Sequence, residues 1–257
     1  MQKVKPKKAL GQHFLTDLGV ARRIAATIAD FRRLPALEVG PGMGVLTQFL
    51  LEEDPNLTVA EIDAESVAWL KEHFPGLRIV EGDFLEMDLR EVMGEGEFTV
   101  IGNYPYNISS QIFFKVLDYR EQIPCVAGML QREVAERLAA GPGTKARGIL
   151  SVLLQAWYDV EYLFTVSENV FNPPPKVKSG VIRCVRNGRK DLDGADPATF
   201  KNLVKTAFSQ RRKTLRNSLR GLCPDLGERF ADLAAKRPEQ LTVEEFIALA
   251  REYGKSK

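Results

Sequence analysis

Residues 37–44 read Leu-Glu-Val-Gly-Pro-Gly-Met-Gly, an apolar strand-type segment followed directly by three closely spaced glycines. A helix-type segment comes next, at 45–51. Glycine permits tight turns and positive φ, and it lets a ligand approach the backbone. Strand, glycine loop and helix in this order are typical of nucleotide sites in α/β proteins. The segment therefore predicts the first strand–helix unit of such a sheet, with a ligand at its loop.

The spacing of the glycines narrows the kind of ligand. A dinucleotide fingerprint that begins at Gly40 requires a glycine at position 45, where the chain has Val45. A phosphate-binding P-loop requires Gly-Lys-Ser/Thr after the loop, and that sequence is missing. The pattern is instead GxGxG, formed by Gly40, Gly42 and Gly44. It favours a mononucleoside-type ligand that has no pyrophosphate.

Strand-type and helix-type segments alternate on both sides of this loop. Apolar strand-type segments lie at 36–39, 57–62, 77–80, 98–101 and 123–129, with helix-type segments at 45–51, 64–73, 108–117 and 131–139. This alternation predicts a mainly parallel sheet with helices on both faces. Segments 158–166 and 180–185 read as two more strands without a helix between them, which predicts an antiparallel end. Asp17 is the expected N-cap of a helix over 17–30, and the chain after Pro197 reads as helical.

Two acidic residues follow the next strands of the predicted sheet. Glu61 stands at the end of the second strand, and Asp83 follows the third. Because ligands of open α/β sheets bind at the carboxyl ends of the strands, both acids are expected beside the glycine loop. A carboxylate at Glu61 can accept both hydroxyl protons of a ribose, and Asp83 can accept from an adenine amine. An isolated acid in either place is more often a surface residue.

The segment Asn103-Tyr104-Pro105-Tyr106 follows the fourth strand. Proline fixes φ and removes a backbone donor, and the asparagine amide offers one acceptor and two donors. The Asn103 oxygen and a backbone carbonyl can accept the two protons of an exocyclic amine, and Tyr106 can stack on a flat base. Taken alone, the same four residues fit a rigid turn with a core tyrosine.

Composition and charge exclude several classes of protein. The chain has 257 residues, 44% hydrophobic and 27% charged, with a net charge of +2, as expected of an ordinary globular chain. No segment approaches the roughly 18 apolar residues of a membrane span. Cys125, Cys184 and Cys223 are far apart and only two histidines are present, so we expect no metal site and reduced thiols in the cytoplasm.

The charge is segregated along the chain. Residues 34–100 hold fifteen acids against three bases, whereas residues 176–220 hold thirteen bases against three acids. The run Arg-Arg-Lys-Thr-Leu-Arg at 211–216 interleaves basic and apolar residues. Such a basic segment indicates either a nucleic-acid surface or solvated helix faces.

Several motifs together resemble one family. The glycine loop with Asn-x-Pro-Tyr resembles S-adenosylmethionine-dependent amino-methyltransferases. The motifs that narrow the resemblance are Gly-Gln-His-Phe-Leu at 11–15, Asn-Tyr-Pro-Tyr-Asn-Ile-Ser at 103–109, Leu-Gln-Arg-Glu-Val at 130–134, Phe-Asn-Pro-Pro-Pro-Lys-Val at 171–177 and Gln-Arg-Arg-Lys-Thr-Leu-Arg-Asn-Ser-Leu at 210–219. With them the chain is similar to the ribosomal RNA adenine dimethyltransferases of the small subunit, the KsgA/RsmA family, from about residue 10 to 220.

The resemblance implies a fold and an activity. The fold is a Rossmann-like α/β methyltransferase domain at 1–188, whose residues 1–16 cover the cofactor, and a small all-α RNA-binding domain at 189–257. The activity is dimethylation of the N6 amine of two adjacent adenines near the 3′ end of 16S ribosomal RNA, with S-adenosyl-L-methionine as the cofactor. A role in small-subunit biogenesis, a cytoplasmic location, a monomeric state and no membrane partner are expected with it.

The resemblance also assigns roles to residues. Those matching the family's cofactor positions are Gln12, His13, Leu15, Gly40, Gly42, Gly44, Glu61, Asp83 and Asn103. Asn103 and Pro105 are expected to hold the adenine amine, with Tyr106 and Phe171 stacking on its base from opposite sides. Charge and motif together predict phosphate contacts by Arg147, Lys176, Arg211, Arg212, Lys213 and Arg216. His13 stands where many relatives have Asn, and Tyr104 where Leu is common.

Three other functions compete with this interpretation. A resistance-type methyltransferase acting on one large-subunit adenine shares the motifs, but it usually interrupts the proline run at 173–175. A non-catalytic assembly factor could retain the fold, although intact Asn103 and Tyr106 argue against it. A nicotinamide-linked reductase fits least, because the third fingerprint glycine is missing.

Overall fold

A computed structural model of the chain describes residues 4–7, 10–223 and 228–255. The chain divides into two compact units. The first comprises Met1–Ala135 with Val160–Arg186, and the second comprises Glu136–Asp159 with Asn187–Lys257. The expected division into residues 1–188 and 189–257 stays a prediction; in the structure residues 136–159 group with the C-terminal unit. The catalytic and RNA-binding roles of the two units stay predictions.

The first unit contains a seven-stranded sheet. The strands of the chain are β1 Phe14–Leu15, β2 Ala36–Val39, β3 Thr58–Glu61, β4 Arg78–Glu81, β5 Thr99–Asn103, β6 Cys125–Gln131, β7 Tyr158–Val166, β8 Phe171–Asn172 and β9 Ser179–Arg186. The order in the sheet is β4-β3-β2-β5-β6-β9-β7. Strands β2 to β6 pair in parallel, and β9 pairs antiparallel with β6. The predicted α/β fold with an antiparallel end is confirmed.

The strand order reverses direction between β2 and β5. From β2 the chain adds β3 and β4 on one side, and then β5 and β6 on the other side. Open α/β sheets bind ligands in the crevice at such a switch point, outside the carboxyl ends of the strands. The glycine loop follows β2 and the Asn103 segment follows β5, so both flank this crevice.

Helices connect the strands of the sheet and make up most of the second unit. The helices of the chain are α1 Leu18–Ala25, α2 Thr47–Glu53, α3 Ala64–His73, α4 Leu89–Met93, α5 Ser109–Asp118, α6 Arg132–Ala139, α7 Ile149–Gln155, α8 Pro197–Ser209, α9 Leu215–Ser218, α10 Ala231–Ala234 and α11 Val243–Lys255. The predicted cap of the first helix is confirmed, because the Asp17 carboxylate accepts from the backbone N–H of Val20 at 3.0 Å. The helix itself ends earlier than expected, since Ala26–Phe31 is a 3-10 helix.

The second unit is built around α8 and α11. Asp196 caps α8 and Pro197 occupies its first turn, where a missing N–H costs nothing. The buried residues of α8 include Phe200, Leu203 and Phe208, and the ring of Phe208 stacks on Phe246 of α11 at 6.1 Å between centroids. The helical character predicted after residue 197 is thus found in the described residues.

No helix within the described residues is both long and apolar enough to cross a membrane.

Candidate active site

A cavity opens at the carboxyl ends of β2, β3, β4 and β5, at the switch point of the sheet. The predicted site residues that line it are Gln12, His13, Leu15, Gly40, Gly42, Glu61, Asp83, Asn103, Pro105 and Tyr106. Distant segments of the chain therefore meet in one place; His13 and Asn103, for example, are 90 positions apart and are hydrogen-bonded. Gly44 and Phe171 lie outside this lining.

The glycine loop is shaped by close contacts on both sides. Gly42 has a φ of +57°, and a Cβ atom there would lie 2.9 Å from the Phe14 ring. Gly44 has a φ of +78°, and its Cβ would lie 2.3 Å from the Phe74 ring. Glycine at 42 thus lets the loop pass beneath the N-terminal residues, while glycine at 44 lets it pack on Phe74. Gly44 supports the loop from behind rather than facing the cavity.

Glu61 is held rigidly at the end of β3. Its side chain is buried, Oε2 accepts from the Gly42 N–H at 3.0 Å, and Oε1 accepts from the Asp63 N–H at 2.8 Å. Burial raises the pKa of Glu61 in spite of these backbone hydrogen bonds. Each oxygen keeps a second lone pair, so the carboxylate can still accept hydroxyl protons from a ligand. Asp83 lies on the same wall, where its Oδ1 accepts from the Leu85 N–H at 2.8 Å.

Glu38 is a cavity residue that the sequence analysis missed. It is 1% exposed, it lines the cavity, and its Oε2 accepts from the Thr47 hydroxyl at 2.7 Å. Burial raises the pKa of Glu38 to about 8, and the hydrogen bond from Thr47 offsets only part of this effect. The signal in the sequence was an acid inside an otherwise apolar strand, two residues before the first loop glycine.

The segment after β5 is anchored by Tyr104. Tyr104 is 1% exposed, its hydroxyl donates to the Ala127 carbonyl at 2.7 Å, and its N–H donates to the Met129 carbonyl at 2.9 Å. Its ring fills space beside Gly102 and Gly128, which have no side chains of their own. Tyrosine at this position therefore fastens the segment to β6 and leaves Asn103 and Tyr106 facing the cavity.

Asn103 and Tyr106 are each oriented by a second residue. The Asn103 amide donates from Nδ2 to the His13 carbonyl at 3.2 Å, which leaves its oxygen available as an acceptor. The Tyr106 hydroxyl lies 2.6 Å from the buried Ser179 Oγ at the start of β9. Ser179 thus fixes the position of the Tyr106 ring, a role that no local pattern in the sequence indicated.

Residues 4–7 and 10–15 are here termed the N-terminal strap, and its residues 10–15 form one wall of the cavity. Its end is paired in the core, because β1 pairs antiparallel with β8 and places Leu15 opposite Phe171. His13 adds to this attachment, since its Nδ1 lies 2.9 Å from the Pro173 carbonyl and its ring lies 5.4 Å from the Tyr106 ring.

The stacking role predicted for Phe171 is not supported by its position. Phe171 is 4% exposed and belongs to the hydrophobic core cluster that also contains Leu15 and Val166. Its ring packs in the core because β8 is paired with β1 there. In this arrangement its contribution is to anchor the N-terminal strap.

The predicted phosphate-binding residues divide into exposed and buried groups. Lys176 in the first unit is exposed, and so are Arg211, Arg212, Lys213 and Arg216 in the second. Arg211 donates to the Lys145 carbonyl. The phosphate contact expected of Arg147 does not fit its position. Arg147 is 1% exposed, and it donates to the Ala140 carbonyl and to Gln155 Oε1, each at 2.7 Å. The loop at 141–148 is held by this guanidinium from inside.

Among the described residues, no group of three or more His, Cys, Asp or Glu side chains has an arrangement that could hold a metal ion. Cys125 and Cys184 are buried, free thiols in the sheet.

Comparisons with known proteins agree along almost the whole chain. The profile of a family described as ribosomal RNA adenine dimethylase matches residues 3–252. A protein of Parabacteroides distasonis named ribosomal RNA small subunit methyltransferase A is 65% identical over 255 residues, which are 97% of this chain and 94% of that protein. A protein of the same name from Porphyromonas gingivalis is 62% identical over 253 residues, 97% of this chain and 98% of that protein.

Solved structures give the same picture of the fold. A dimethyladenosine transferase from Plasmodium falciparum matches with a TM-score of 0.80 and 25% identity, over 95% of this chain and 98% of that one. The 23S rRNA methyltransferase ErmE matches with a TM-score of 0.70 and 26% identity, over 92% of this chain and 99% of that one.

Proposed function

Since this chain belongs to the ribosomal RNA adenine dimethylase family, we propose that it dimethylates the N6 amine of two adjacent adenines near the 3′ end of 16S ribosomal RNA. S-adenosyl-L-methionine is the methyl donor, and the reaction belongs to the assembly of the small ribosomal subunit. The observation that carries the proposal is that Asn103 and Tyr106 share one cavity with the glycine loop and Glu61.

The residues of the cavity suit the adenosyl part of the cofactor. The carboxylate of Glu61 is fixed by two backbone N–H groups and keeps free lone pairs for ribose hydroxyls. The glycine loop admits a ligand close to its backbone. Asp83 on the next strand offers a carboxylate to an adenine amine, and Phe84, which also lines the cavity, offers an apolar contact. When bound, S-adenosylmethionine supplies an electrophilic methyl group on a positively charged sulfur.

Asn103 is proposed to orient the target amine. The Asn103 oxygen accepts a hydrogen bond from one N–H of the amine; it faces the amine because Nδ2 donates to the His13 carbonyl. A backbone carbonyl of the same turn accepts a hydrogen bond from the second N–H. The nitrogen lone pair then points toward the methyl group. Pro105 keeps the turn rigid and contributes no N–H that would compete for the lone pair.

Tyr106 is proposed to hold the base that carries the amine. Its ring faces the cavity and is steadied by the contact with Ser179. An adenine must leave its stack to reach this position, and stacking on an aromatic ring compensates part of that cost. The amine loses a proton after methyl transfer, which restores its lone pair. The second methylation therefore needs only enough room for a monomethylated amine. Orientation of the reacting groups and exclusion of water supply much of the rate enhancement.

Exposed basic residues of each unit are proposed to bind RNA: Lys176 in the first unit, and a separate basic run in the second. Arg211, Arg212, Lys213 and Arg216 lie between α8 and the end of α9. Clustered basic side chains bind phosphates without reading sequence. Selection of the two adenines then rests on the cavity and on the shape of the subunit.

The proposal is tested by methyl transfer from labelled S-adenosylmethionine to undermethylated small subunits, with large subunits as the control. Mass spectrometry of the product locates the label. We expect dimethyladenosine at two adjacent adenines near the 3′ end of the small-subunit RNA. Label only in the large subunit would instead support the resistance-type activity, and cofactor binding without transfer to either subunit would support an assembly factor.

A further inference from the structure

Attachments at the front and at the rear hold the N-terminal strap to the first unit, and Asn103 donates to the His13 carbonyl between them. The rear attachment is the β1–β8 pairing, in which Phe14 and Leu15 are buried. The front attachment lies at Lys7 and Gln12, where the strap meets the start of α3. Leu10 to His13 form part of the cavity wall. Release of the front attachment would therefore free Leu10 to Gln12 from this wall, while His13 and the rear stay in place.

The front attachment converges on one carboxylate. Lys7 Nζ lies 2.5 Å from Asp63 Oδ1, and Gln12 Nε2 donates to Asp63 Oδ2 at 3.1 Å. The strap is also tied to itself here, because the Lys7 N–H donates to Gln12 Oε1 at 2.8 Å. Lys7 Nζ has a second acidic partner in Glu65, at 3.1 Å.

Asp63 is buried between the strap and the cofactor site. Its side chain is 1% exposed, and it also accepts from the Ser66 hydroxyl at 3.0 Å and from the Glu65 N–H at 3.3 Å. Its own N–H donates to Glu61 Oε1 at 2.8 Å, on the carboxylate assigned to the ribose. The residue therefore contacts the strap with its side chain and the ribose carboxylate with its backbone.

We propose that Asp63 is a positioning residue that latches the front of the N-terminal strap, through Lys7 and Gln12, over the bound cofactor. The proposal rests on the proposed function, because it assigns the cavity to S-adenosylmethionine. A latch of this kind lowers the rate at which the cofactor leaves, since departure requires the strap to lift. It also explains why a carboxylate rather than a neutral cap stands at the start of α3: the cap requires only an acceptor, whereas Lys7 requires a negative charge.

The electrostatics agree with a charged pair. Burial alone would raise the pKa of Asp63, but hydrogen bonds from Lys7, Gln12 and Ser66 outweigh it, and the pKa is lowered. The pKa of Lys7 is raised, mainly by its hydrogen bond to Asp63. Lys7 is 40% exposed, so water screens the pair in part and its contribution is smaller than that of a fully buried pair.

The test is the rate at which S-adenosylhomocysteine dissociates from the full chain, followed by stopped flow together with its Kd. Lys7→Met removes the partner and leaves the cap of α3 intact. Asp63→Asn keeps an oxygen for the cap and removes the charge. Lys5→Met is the matched control, because Lys5 is an exposed lysine of the same strap. Melting temperatures of all four proteins separate loss of the latch from loss of the fold.

We expect Lys7→Met and Asp63→Asn to speed dissociation by about three- to tenfold, the range for a partly exposed charged hydrogen bond. Lys5→Met is expected to leave the rate within about twofold. The double variant Lys7→Met/Asp63→Asn should dissociate no faster than the faster single variant, because both changes remove one interaction.

If Asp63 served only as the helix cap, Lys7→Met would leave dissociation unchanged, and that result would overturn the latch. Unchanged rates in both variants would do the same. A wild-type protein without affinity for S-adenosylhomocysteine would overturn the proposed function itself, and the latch with it.

Discussion

At the residue scale, Glu38 has the most unusual environment among the acids of the cavity. It is buried in β2 within reach of the negative charge of Glu61, and only the Thr47 hydroxyl offsets its desolvation. Its pKa of about 8 means that the folded protein keeps a proton on this carboxyl at neutral pH. In the unfolded chain the group is ionised above its ordinary value of 4.5. Folding therefore takes up a proton at Glu38 between these two pH values.

This uptake has a defined consequence for stability. Because the unfolded state binds fewer protons, the free energy of unfolding falls as the pH rises from about 5 to 8. Glu38→Gln removes the titration and should make this fall smaller by about 2–4 kcal/mol. Urea unfolding at several pH values measures it, with Glu72→Gln, an exposed glutamate of α3, as the control. If the free energy of unfolding of wild type and of Glu38→Gln changed with pH in parallel, Glu38 would be ionised in the folded state.

The residues that sequence patterns misjudged share one property: their environment is set by distant segments. Arg147 lies in a basic loop, but acceptors at Ala140 and Gln155 draw it inside. Phe171 precedes a proline run, but its pairing with Leu15 buries it. Glu61, Asp83 and Asn103 were predicted at the cavity because each follows a strand of a parallel sheet, and strand ends meet by construction.

At the element scale, the β5–β6 pair carries the reacting segment. Gly102 and Gly128 are partners in the register, and Tyr104 packs its ring against both. A Cβ at Gly128 would lie 2.3 Å from the Gly102 carbonyl and 2.7 Å from the Tyr104 ring. The two glycines thus create the space that the Tyr104 ring occupies.

Gly128→Ala should consequently destabilise the sheet. The added methyl meets backbone at a φ of +151°, so both strain and overpacking act, and we expect a loss of about 3 kcal/mol in the free energy of unfolding. Chemical denaturation measures this loss. Gly141→Ala is the matched control, because a Cβ there meets nothing within 4 Å, and it should change stability by less than about 0.5 kcal/mol. Equal stabilities of the two variants would contradict the packing described for Tyr104.

Regular elements were predictable wherever the hydrophobic period was clear. The strand at 36–39 and the helix at 64–73 appear with the predicted bounds, because each is an apolar run or stripe between polar ends. The two-residue strands β1 and β8 were not predictable, since they are too short for any period and pair across most of the first unit. The grouping of residues 136–159 with the C-terminal unit depends on tertiary packing and was not evident from the sequence.

At the scale of the whole molecule, the structure shows where the acidic and the basic stretches of the chain lie. The acidic stretch from 34 to 100 provides part of the cavity wall, with Glu61 and Asp83 among its acids. The basic stretch from 176 to 220 ends in the exposed run at 211–216. A polyanion is attracted by the second stretch and repelled by the first, which leaves the cofactor site to a small cationic ligand.

Changing Arg211, Arg212 and Lys213 together to Ala should weaken RNA binding. If the three side chains contact phosphates, the plot of log K against log salt concentration should become shallower, with the magnitude of its negative slope smaller by about 2. Filter binding at several salt concentrations measures the slope. The matched control changes Arg22, Arg32 and Lys71, exposed bases that are paired with Glu52, Glu53 and Glu81. An unchanged slope in the first variant would remove this surface from the RNA-binding site.

The role proposed for Asn103 is orientation of the target amine, while other residues of the cavity supply most of the contacts proposed for the cofactor. It is tested most directly by single-turnover methyl transfer to undermethylated small subunits with Asn103→Ala, together with the Kd for S-adenosylmethionine. Asn169→Ala, at an exposed position of the 3-10 helix Glu168–Val170, is the control. We predict that the rate of methyl transfer falls by at least about 100-fold, while the Kd stays within about tenfold of wild type. A wild-type rate in Asn103→Ala, or a loss explained entirely by a weaker Kd, would show that Asn103 does not orient the amine.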